Sequence, residues 1–316
     1  YSIIIMSTET TNIVIYPSSN KKLNVDELQF SKPIKNSNYI LIQDLDIPLL
    51  NVWYEKFNKT VKNIVILLDC YGLFIEKNIN FILSHKEINF FIHENDIHYL
   101  PSKSRKYNRL LLLRNRLIDN PHIYILAYNW YHYVKIYKVN LENVLCFPKF
   151  VTEENILPIN NNPIIKILLS GSKGGCYPQR RYLKNLKHEK VDILSPHIGI
   201  RGIDYNKYLN KYLCCFTCCS TNQTPYIVGK FFEIPAAGSL LLASDEHVKE
   251  QLKELGFIDG ENYISCNQSN IVEKINYICD EKNRDKIDVI RINGQNLIKQ
   301  YHTDKVRFQY INSLLK

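Results

Sequence analysis

Long apolar runs are missing from this sequence of 316 residues. No stretch approaches the roughly 18 to 20 consecutive apolar residues that cross a bilayer, so we expect no transmembrane segment. The opening residues 1–6 have no basic flank and only a very short apolar core, unlike a secretory signal, and we expect a cytoplasmic protein. Peripheral contact with a membrane surface stays open, because the formal net charge is +9.

Regular cysteine pairs and clustered metal ligands are also missing. The nine cysteines are irregularly spaced and several lie inside apolar runs, which predicts free thiols in a reducing compartment. Cys214, Cys215, Cys218 and Cys219 have a spacing that suggests zinc. However, alternate residues of a strand point to opposite faces, and no second cysteine or histidine cluster accompanies this group. The pattern favours buried cysteines in a strand, and we expect no bound metal.

The positive charge is dispersed along the chain. The one dense basic group lies between residues 103 and 116, where leucines at 110–113 and 117 predict a helix with a solvated basic face. We therefore expect no stable nucleic-acid partner, although a nucleic-acid-binding or nucleic-acid-modifying protein remains an alternative. An anionic donor or an acidic glycan would also suit this charge.

Short apolar runs alternate with helical spacing in both halves of the chain. Such alternation predicts an α/β fold with parallel sheets covered on both faces. A polar, proline-punctuated stretch at 152–163 predicts a linker. The sequence thus predicts two Rossmann-like, doubly wound domains, residues 1–151 and 164–316, that face a central cleft. The predicted strands are 12–16, 39–42, 63–69, 88–93, 122–128, 143–147, 164–170, 191–194, 213–220, 240–244 and 263–265.

Two loops at strand ends have the composition of phosphate-binding sites. Residues 171–175, Gly-Ser-Lys-Gly-Gly, let backbone amides approach a phosphate, but they complete neither a P-loop nor a GxGxxG motif. An ordinary tight turn explains them equally well. In the second loop, Thr224 suits a helix N-cap and Pro225 the first position of a helix over 225–237. Its exposed amides could bind a diphosphate, and Asn222, Thr224 and Tyr226 are the candidate contacts.

Lys230 and Glu233 lie one turn apart on that predicted helix, so they share a face. A cation beside an acceptor can bind the phosphate and the ribose hydroxyls of one nucleotide. A structural ion pair on a helix surface is the alternative.

The sequence around this pair resembles a known family. Residues 229–244, Gly-Lys-Phe-Phe-Glu-Ile-Pro-Ala-Ala-Gly-Ser-Leu-Leu-Leu-Ala-Ser, are similar to the nucleotide-sugar-binding core of glycosyltransferases of the group 1 (family 4-like) clan. They most resemble the subgroup of bacterial spore-maturation-type proteins. The likeness extends over residues 164–316. It includes the turn at 256–264, the strand and glycine loop at 167–172, and the Tyr-Pro-x-Arg sequence at 177–180 that starts a helix.

The resemblance implies a GT-B fold and an enzyme that moves a sugar from a nucleoside diphosphate sugar to a hydroxyl acceptor. Pro225 stands where many of these enzymes have a further glutamate, so the donor sugar and the stereochemical outcome stay open. Arg181 is an alternative to Arg180, because the helix phase is not fixed by the sequence. The implied donor-site residues are Gly171 and Ser172 lining the cleft, Arg180 at a phosphate or the acceptor, Lys230 at the diphosphate and Glu233 at the ribose.

The acceptor side is predicted in the first domain, where the strand at 88–93 runs into a polar loop. At this strand end His93 or Asp96 is the candidate general base on an acceptor hydroxyl, with His98 next. A loop that only shapes the cleft is an equal alternative. Enzymes of this two-domain type typically need no bound metal or other cofactor. A catalytically silent nucleotide- or glycan-binding protein on the same fold is the alternative to an enzyme.

Overall fold

The computed structural model describes residues 11–16, 40–43, 50–56, 61–67, 73–94, 115–128, 130, 141–172, 177–194, 199–200, 202–219 and 225–315. The chain divides into two compact units. The first comprises Tyr1–Pro148 with Phe308–Lys316, and the second comprises Lys149–Arg307. The sequence predicts a single domain over residues 164–316, whereas the structure groups residues 308–316 with the first unit.

A parallel sheet forms the first unit, in the strand order β2-β1-β3-β4-β5-β6. Ile64, Ile66, Phe90 and Ile125 are fully buried in its core, so the apolar runs of the sequence form the strands that it predicts. The strands are β1 (Thr11–Tyr16), β2 (Ile40–Gln43), β3 (Val61–Ile66), β4 (Asn89–Glu94), β5 (Ile123–Ala127) and β6 (Val144–Cys146), and the helices are α1 (Leu50–Lys56) and α2 (Leu73–Ser84).

A second parallel sheet forms the second unit, in the order β11-β10-β9-β7-β8. The strands are β7 (Ile164–Leu169), β8 (Val191–Ile193), β9 (Tyr212–Cys218), β10 (Leu240–Ser244) and β11 (Ile264–Cys266). The chain leaves β7 for β8 at one edge and then returns to β9 on the other side of β7. The strand order therefore reverses between β7 and β9, and ligands of open α/β sheets bind beside such a point, at the carboxyl ends of the strands.

Strands β9 and β10 are buried at every residue, because helices cover both faces of the sheet. The helices of this unit are α3 (Pro178–Leu186), α4 (Gly202–Asn210), α5 (Lys230–Ala236), α6 (Lys249–Glu254), α7 (Ile271–Ile278) and α8 (Arg284–Tyr301). Helix α9 (Asp304–Leu314) follows, and its buried residues Phe308 and Ile311 belong to the first unit. The predicted α/β fold with two parallel sheets is confirmed.

The helix predicted over 225–237 begins later than the sequence suggests. Residues 225–228 are not helical, and the helix starts at Lys230 with Gly229 as N-cap. Tyr226, Ile227 and Val228 are instead buried in the core. Pro225 is therefore not a first helical residue, and Gly229 is the N-cap of this helix. Thr224, the predicted N-cap, lies outside the described residues.

The predicted linker at 152–163 lies within the second unit, where α8 binds its backbone. Arg291 is only 1% exposed and donates to the carbonyl oxygens of Asn160 (3.2 Å) and Gly238 (2.9 Å). One turn further on, Gln295 donates to the carbonyl oxygen of Leu157 at 2.7 Å. These bonds fix the segment to the helix that follows it by more than a hundred residues.

Across the described ranges, no helix has both the length and the apolar character to cross a membrane.

Candidate functional site

The site begins at the carboxyl end of β7, beside the reversal in strand order. Ser170 is fully buried there, and Gly171 adopts a φ of 86° that side chains rarely tolerate. A Cβ atom at Gly171 would lie 2.7 Å from Lys230 Cε and 3.2 Å from a terminal nitrogen of Arg180. The backbone turn therefore favours glycine, and a side chain at this position would displace the end of the Lys230 side chain.

Arg180 comes from the first turn of α3, which starts at Pro178. The side chain is 3% exposed, and its terminal nitrogens donate to the Ser172 carbonyl (3.2 Å) and the Thr217 hydroxyl (3.0 Å). Its guanidinium also lies 4.1 Å from the ring centroid of Tyr177. The adjacent Arg181 is exposed, so of the two alternatives Arg180 is the buried one beside Gly171.

Lys230 and Glu233 lie on the first turn of α5, as their spacing predicts. The Lys230 ammonium is 3.8 Å from a carboxylate oxygen of Glu233, and the two side chains are 16% and 14% exposed. A pair this far from solvent differs from the surface ion pair that was the alternative interpretation. Burial acts to lower the pKa of Lys230, but Tyr205 and Glu233 outweigh it and leave that pKa raised. Lys230 is therefore cationic at neutral pH.

Tyr205 of α4 completes the surroundings of Lys230, although it is not among the site residues predicted from the sequence. The Lys230 ammonium donates a hydrogen bond to the Tyr205 hydroxyl and lies 4.3 Å from the centre of its ring. The same hydroxyl is 2.7 Å from Ser170 Oγ. Residues from β7, α4 and α5 thus meet around one ammonium group.

Two cations converge on Gly171, since both Lys230 and Arg180 approach the position of its missing side chain. Like charges at this distance repel each other, and the nearby Arg180 acts to lower the pKa of Lys230. An anion placed at Gly171 would relieve that repulsion. The site therefore has the electrostatics of an anion-binding site, with a carboxylate, Glu233, at its side.

The other predicted donor-site residues contact Arg180 or its neighbour Tyr177, or lie outside the described residues. Ser172 is exposed, and its carbonyl is a partner of Arg180. Tyr226 is buried, with its hydroxyl 3.0 Å from that of Tyr177, the residue on which Arg180 stacks. Asn222 and Thr224 lie outside the described residues.

On the acceptor side, His93 is the only predicted residue that the structure describes. It lies in β4, is 2% exposed, and packs against the rings of Tyr128 and Phe147 at centroid distances of 4.5 and 5.5 Å. This is the environment of a packed core histidine. Asp96 and His98 lie outside the described residues.

The cysteines of β9 lie on both faces of its sheet. Cys215 and Cys219 belong to one core cluster, and Cys214 and Cys218 to the other. Burial raises the pKa of Cys215 to about 12, so its thiol stays neutral. The prediction of buried strand cysteines is confirmed. No group of three or more metal-ligating side chains occurs within the described part of the chain.

Comparison of the fold with solved structures finds similar chains over almost the whole length. A glycosyltransferase from Rickettsia africae has a TM-score of 0.59 at 11% identity, covering 98% of each chain. HepE from Anabaena, crystallised with UDP-glucose, has a TM-score of 0.54 at 13% identity, covering 96% of this chain and 99% of its own. TarM has a TM-score of 0.53 at 12% identity, covering 84% of this chain and 57% of its own.

Similarity is found in the fold and not in the sequence. No family model matches the sequence, and no curated protein does. At identities of 11–13% the likeness establishes an α/β fold with two parallel sheets of the GT-B type, as the sequence resemblance implied.

Proposed function

We propose that this protein is a glycosyltransferase that moves a sugar from a nucleoside diphosphate sugar to a hydroxyl acceptor, such as a glycan or a protein. We further propose that it belongs with the spore-maturation-type subgroup and acts in the cytoplasm, free or at a membrane surface. The observation that carries the proposal is the convergence of Lys230 and Arg180 on Gly171, with Glu233 at their side.

Each group at this site has a role in holding a nucleoside diphosphate. Lys230 and Arg180 bind the diphosphate, and Lys230 neutralises the charge that develops as the diphosphate leaves. Gly171 lets the phosphates approach the backbone, because it has no side chain to fill that space. Glu233 accepts hydrogen bonds from the ribose hydroxyls, because an ionised carboxylate has acceptors and no donor.

The remaining residues support this site. Ser172 and Tyr226 contact or orient Arg180, directly or through Tyr177. Asn222 and Thr224 are proposed donor contacts from the loop that follows β9. UDP-sugars are the first donors to test, because HepE, which has a similar fold, was crystallised with UDP-glucose.

The acceptor-side base is proposed to be Asp96 or His93. The burial of His93 against two aromatic rings ranks Asp96 first.

We propose that catalysis needs no bound metal, so that EDTA leaves transfer unchanged. Stoichiometric zinc in the purified protein that is lost in Cys218→Ser would contradict that part of the proposal.

Donor binding tests the site directly. UDP-sugars and GDP-sugars are screened by thermal shift, and affinities for the nucleoside diphosphate and the nucleoside are then measured by calorimetry. Lys230→Ala should weaken diphosphate binding by about 10-fold or more while leaving nucleoside binding nearly unchanged, because the lost contact is to phosphate. Glu233→Ala should weaken both ligands, because both contain the ribose. Lys207→Ala, an exposed lysine on α4, is the matched control.

Equal and undiminished affinities in Lys230→Ala and Glu233→Ala would remove this site assignment. Transfer is tested with Asp96→Asn and His93→Gln, and loss of a general base should lower turnover about 100-fold to 10,000-fold with little change in donor affinity. Near-normal transfer in both variants would move the base elsewhere, to His98 first. A wild type that binds a donor but neither transfers nor hydrolyses its sugar would instead be a binding protein.

A further inference from the structure

The hydroxyl of Tyr205 lies between a buried serine and the ammonium of Lys230. Ser170 Oγ is 2.7 Å from this hydroxyl, and Lys230 donates a hydrogen bond to it. An ammonium can only donate, so the phenol oxygen accepts from Lys230 and its own proton is free to point at Ser170. Ser170 is fully buried at the end of β7, so it fixes the direction of the phenol.

The Lys230 ammonium and the Glu233 carboxylate are close together but are not within direct hydrogen-bond distance. The two side chains are three residues apart on α5 and can reach one another, yet the ammonium and the carboxylate oxygen are 3.8 Å apart. A charge-assisted hydrogen bond would bring them to about 2.7 to 2.9 Å. In this partly buried site such a pair would form readily if Tyr205 did not hold the ammonium.

A direct pair would occupy both groups that the proposed function assigns to the donor. The N–H groups of the ammonium would be occupied by Glu233 and could not donate to the phosphate. The carboxylate lone pairs would be occupied by Lys230 and could not accept from the ribose. We infer that Tyr205 is a positioning residue that holds the Lys230 ammonium away from Glu233, so that both stay available to a nucleotide. The use of the two groups by a donor rests on the proposed function, whereas their separation by Tyr205 does not.

The first test needs no ligand. Reductive methylation of Lys230 in the folded protein is followed by peptide mass spectrometry over pH 7 to 10 in wild type, Tyr205→Phe, Glu233→Gln and the double variant. Phenylalanine keeps the ring beneath the ammonium and removes only the hydroxyl. Tyr205 itself acts to raise the pKa of Lys230, so loss of its hydroxyl alone would speed the labelling. If the ammonium then pairs directly with Glu233, that pair outweighs the loss, and Tyr205→Phe should label Lys230 more slowly than wild type.

The double variant separates positioning from a structural role. With glutamine at position 233 no carboxylate attracts the ammonium, so Tyr205→Phe should then speed the labelling, because only the loss of the hydroxyl that raises the pKa of Lys230 remains. Equal slowing in both backgrounds, or no slowing in either, would overturn the inference. Tyr208→Phe, which removes a hydroxyl from the next turn of α4, should leave the labelling of Lys230 unchanged.

The second test measures binding of UDP and uridine, or of GDP and guanosine if wild type prefers them. Tyr205→Phe should weaken both the diphosphate and the nucleoside by about 10-fold, because Lys230 and Glu233 neutralise each other. If Tyr205→Phe weakened binding of the diphosphate alone, Glu233 would still be available to the ribose, and the inferred pairing of Glu233 with Lys230 would be contradicted. A wild type that binds no nucleotide would overturn the proposed function, and the labelling result would still decide the role of Tyr205.

Discussion

Replacing Gly171 by alanine tests whether the close approach at the end of β7 matters for binding. Two effects accompany the added methyl group. Any non-glycine residue at a φ of 86° is strained by about 1 to 2 kcal/mol. In addition, the new Cβ would lie 2.7 Å from Lys230 Cε, well inside ordinary carbon–carbon contact of about 3.5 to 4.0 Å.

The collision must move the lysine stem by about 1 Å, because the glycine backbone is held in the turn after β7. A shift of that size breaks the charge-assisted hydrogen bonds of the ammonium, which are worth about 1.5 to 3 kcal/mol each. We therefore expect Gly171→Ala to weaken nucleoside diphosphate binding by about 10-fold to 100-fold. Nucleoside binding should change much less.

Gly260 supplies the matched control. Its φ is 80°, and a Cβ there would meet no atom within 4 Å, so Gly260→Ala carries the backbone strain without the collision. Calorimetry with the diphosphate and the nucleoside is run on both variants, and circular dichroism confirms that each is folded. If Gly171→Ala binds the diphosphate as tightly as Gly260→Ala does, the position of the Lys230 stem does not control binding and the reasoning is refuted.

Two further predictions concern stability. His302 accepts from Arg307 and donates to the Leu255 carbonyl, and burial lowers its pKa from 6.5 to about 3. The folded state thus favours neutral His302, so its contribution is complete above pH 6.5 and is lost as pH falls toward 3, by about 2 kcal/mol between pH 7 and pH 5. Urea unfolding should show that loss in wild type and not in His302→Asn; an equal pH dependence in both would contradict it. Arg291→Met should cost about 3 kcal/mol in the same assay by leaving buried carbonyls unpaired, whereas Lys286→Met on the exposed face of α8 should cost little.

The strands and the charged pair could be predicted from the sequence because their signals are local. Apolar residues throughout β9 and β10 are typical of a parallel sheet buried on both faces. The spacing of Lys230 and Glu233 fixes their shared helix face whatever the rest of the chain does. Only the structure separates Arg180 from Arg181, because it shows that Arg180 and Leu183 are the buried residues of α3.

The late start of α5 and the role of Tyr205 could not be predicted this way. Thr224 and Pro225 have the composition of a helix start, but burial of Tyr226, Ile227 and Val228 in the core outweighs that local preference. Tyr205 is an ordinary helix residue until β7 and α5 bring Ser170 and Lys230 to its hydroxyl. A contact among three separate elements leaves no mark in a local pattern.

The attachment of the linker to α8 decides where this chain can be cut for production in pieces. Composition suggests a boundary at residue 164. A fragment that begins there would lack the Asn160 carbonyl, which accepts from Arg291, and the Leu157 carbonyl, which accepts from Gln295. It would also remove the Pro158 carbonyl that accepts from Asn210. A recombinant second unit should therefore start no later than Lys149, where that unit itself begins.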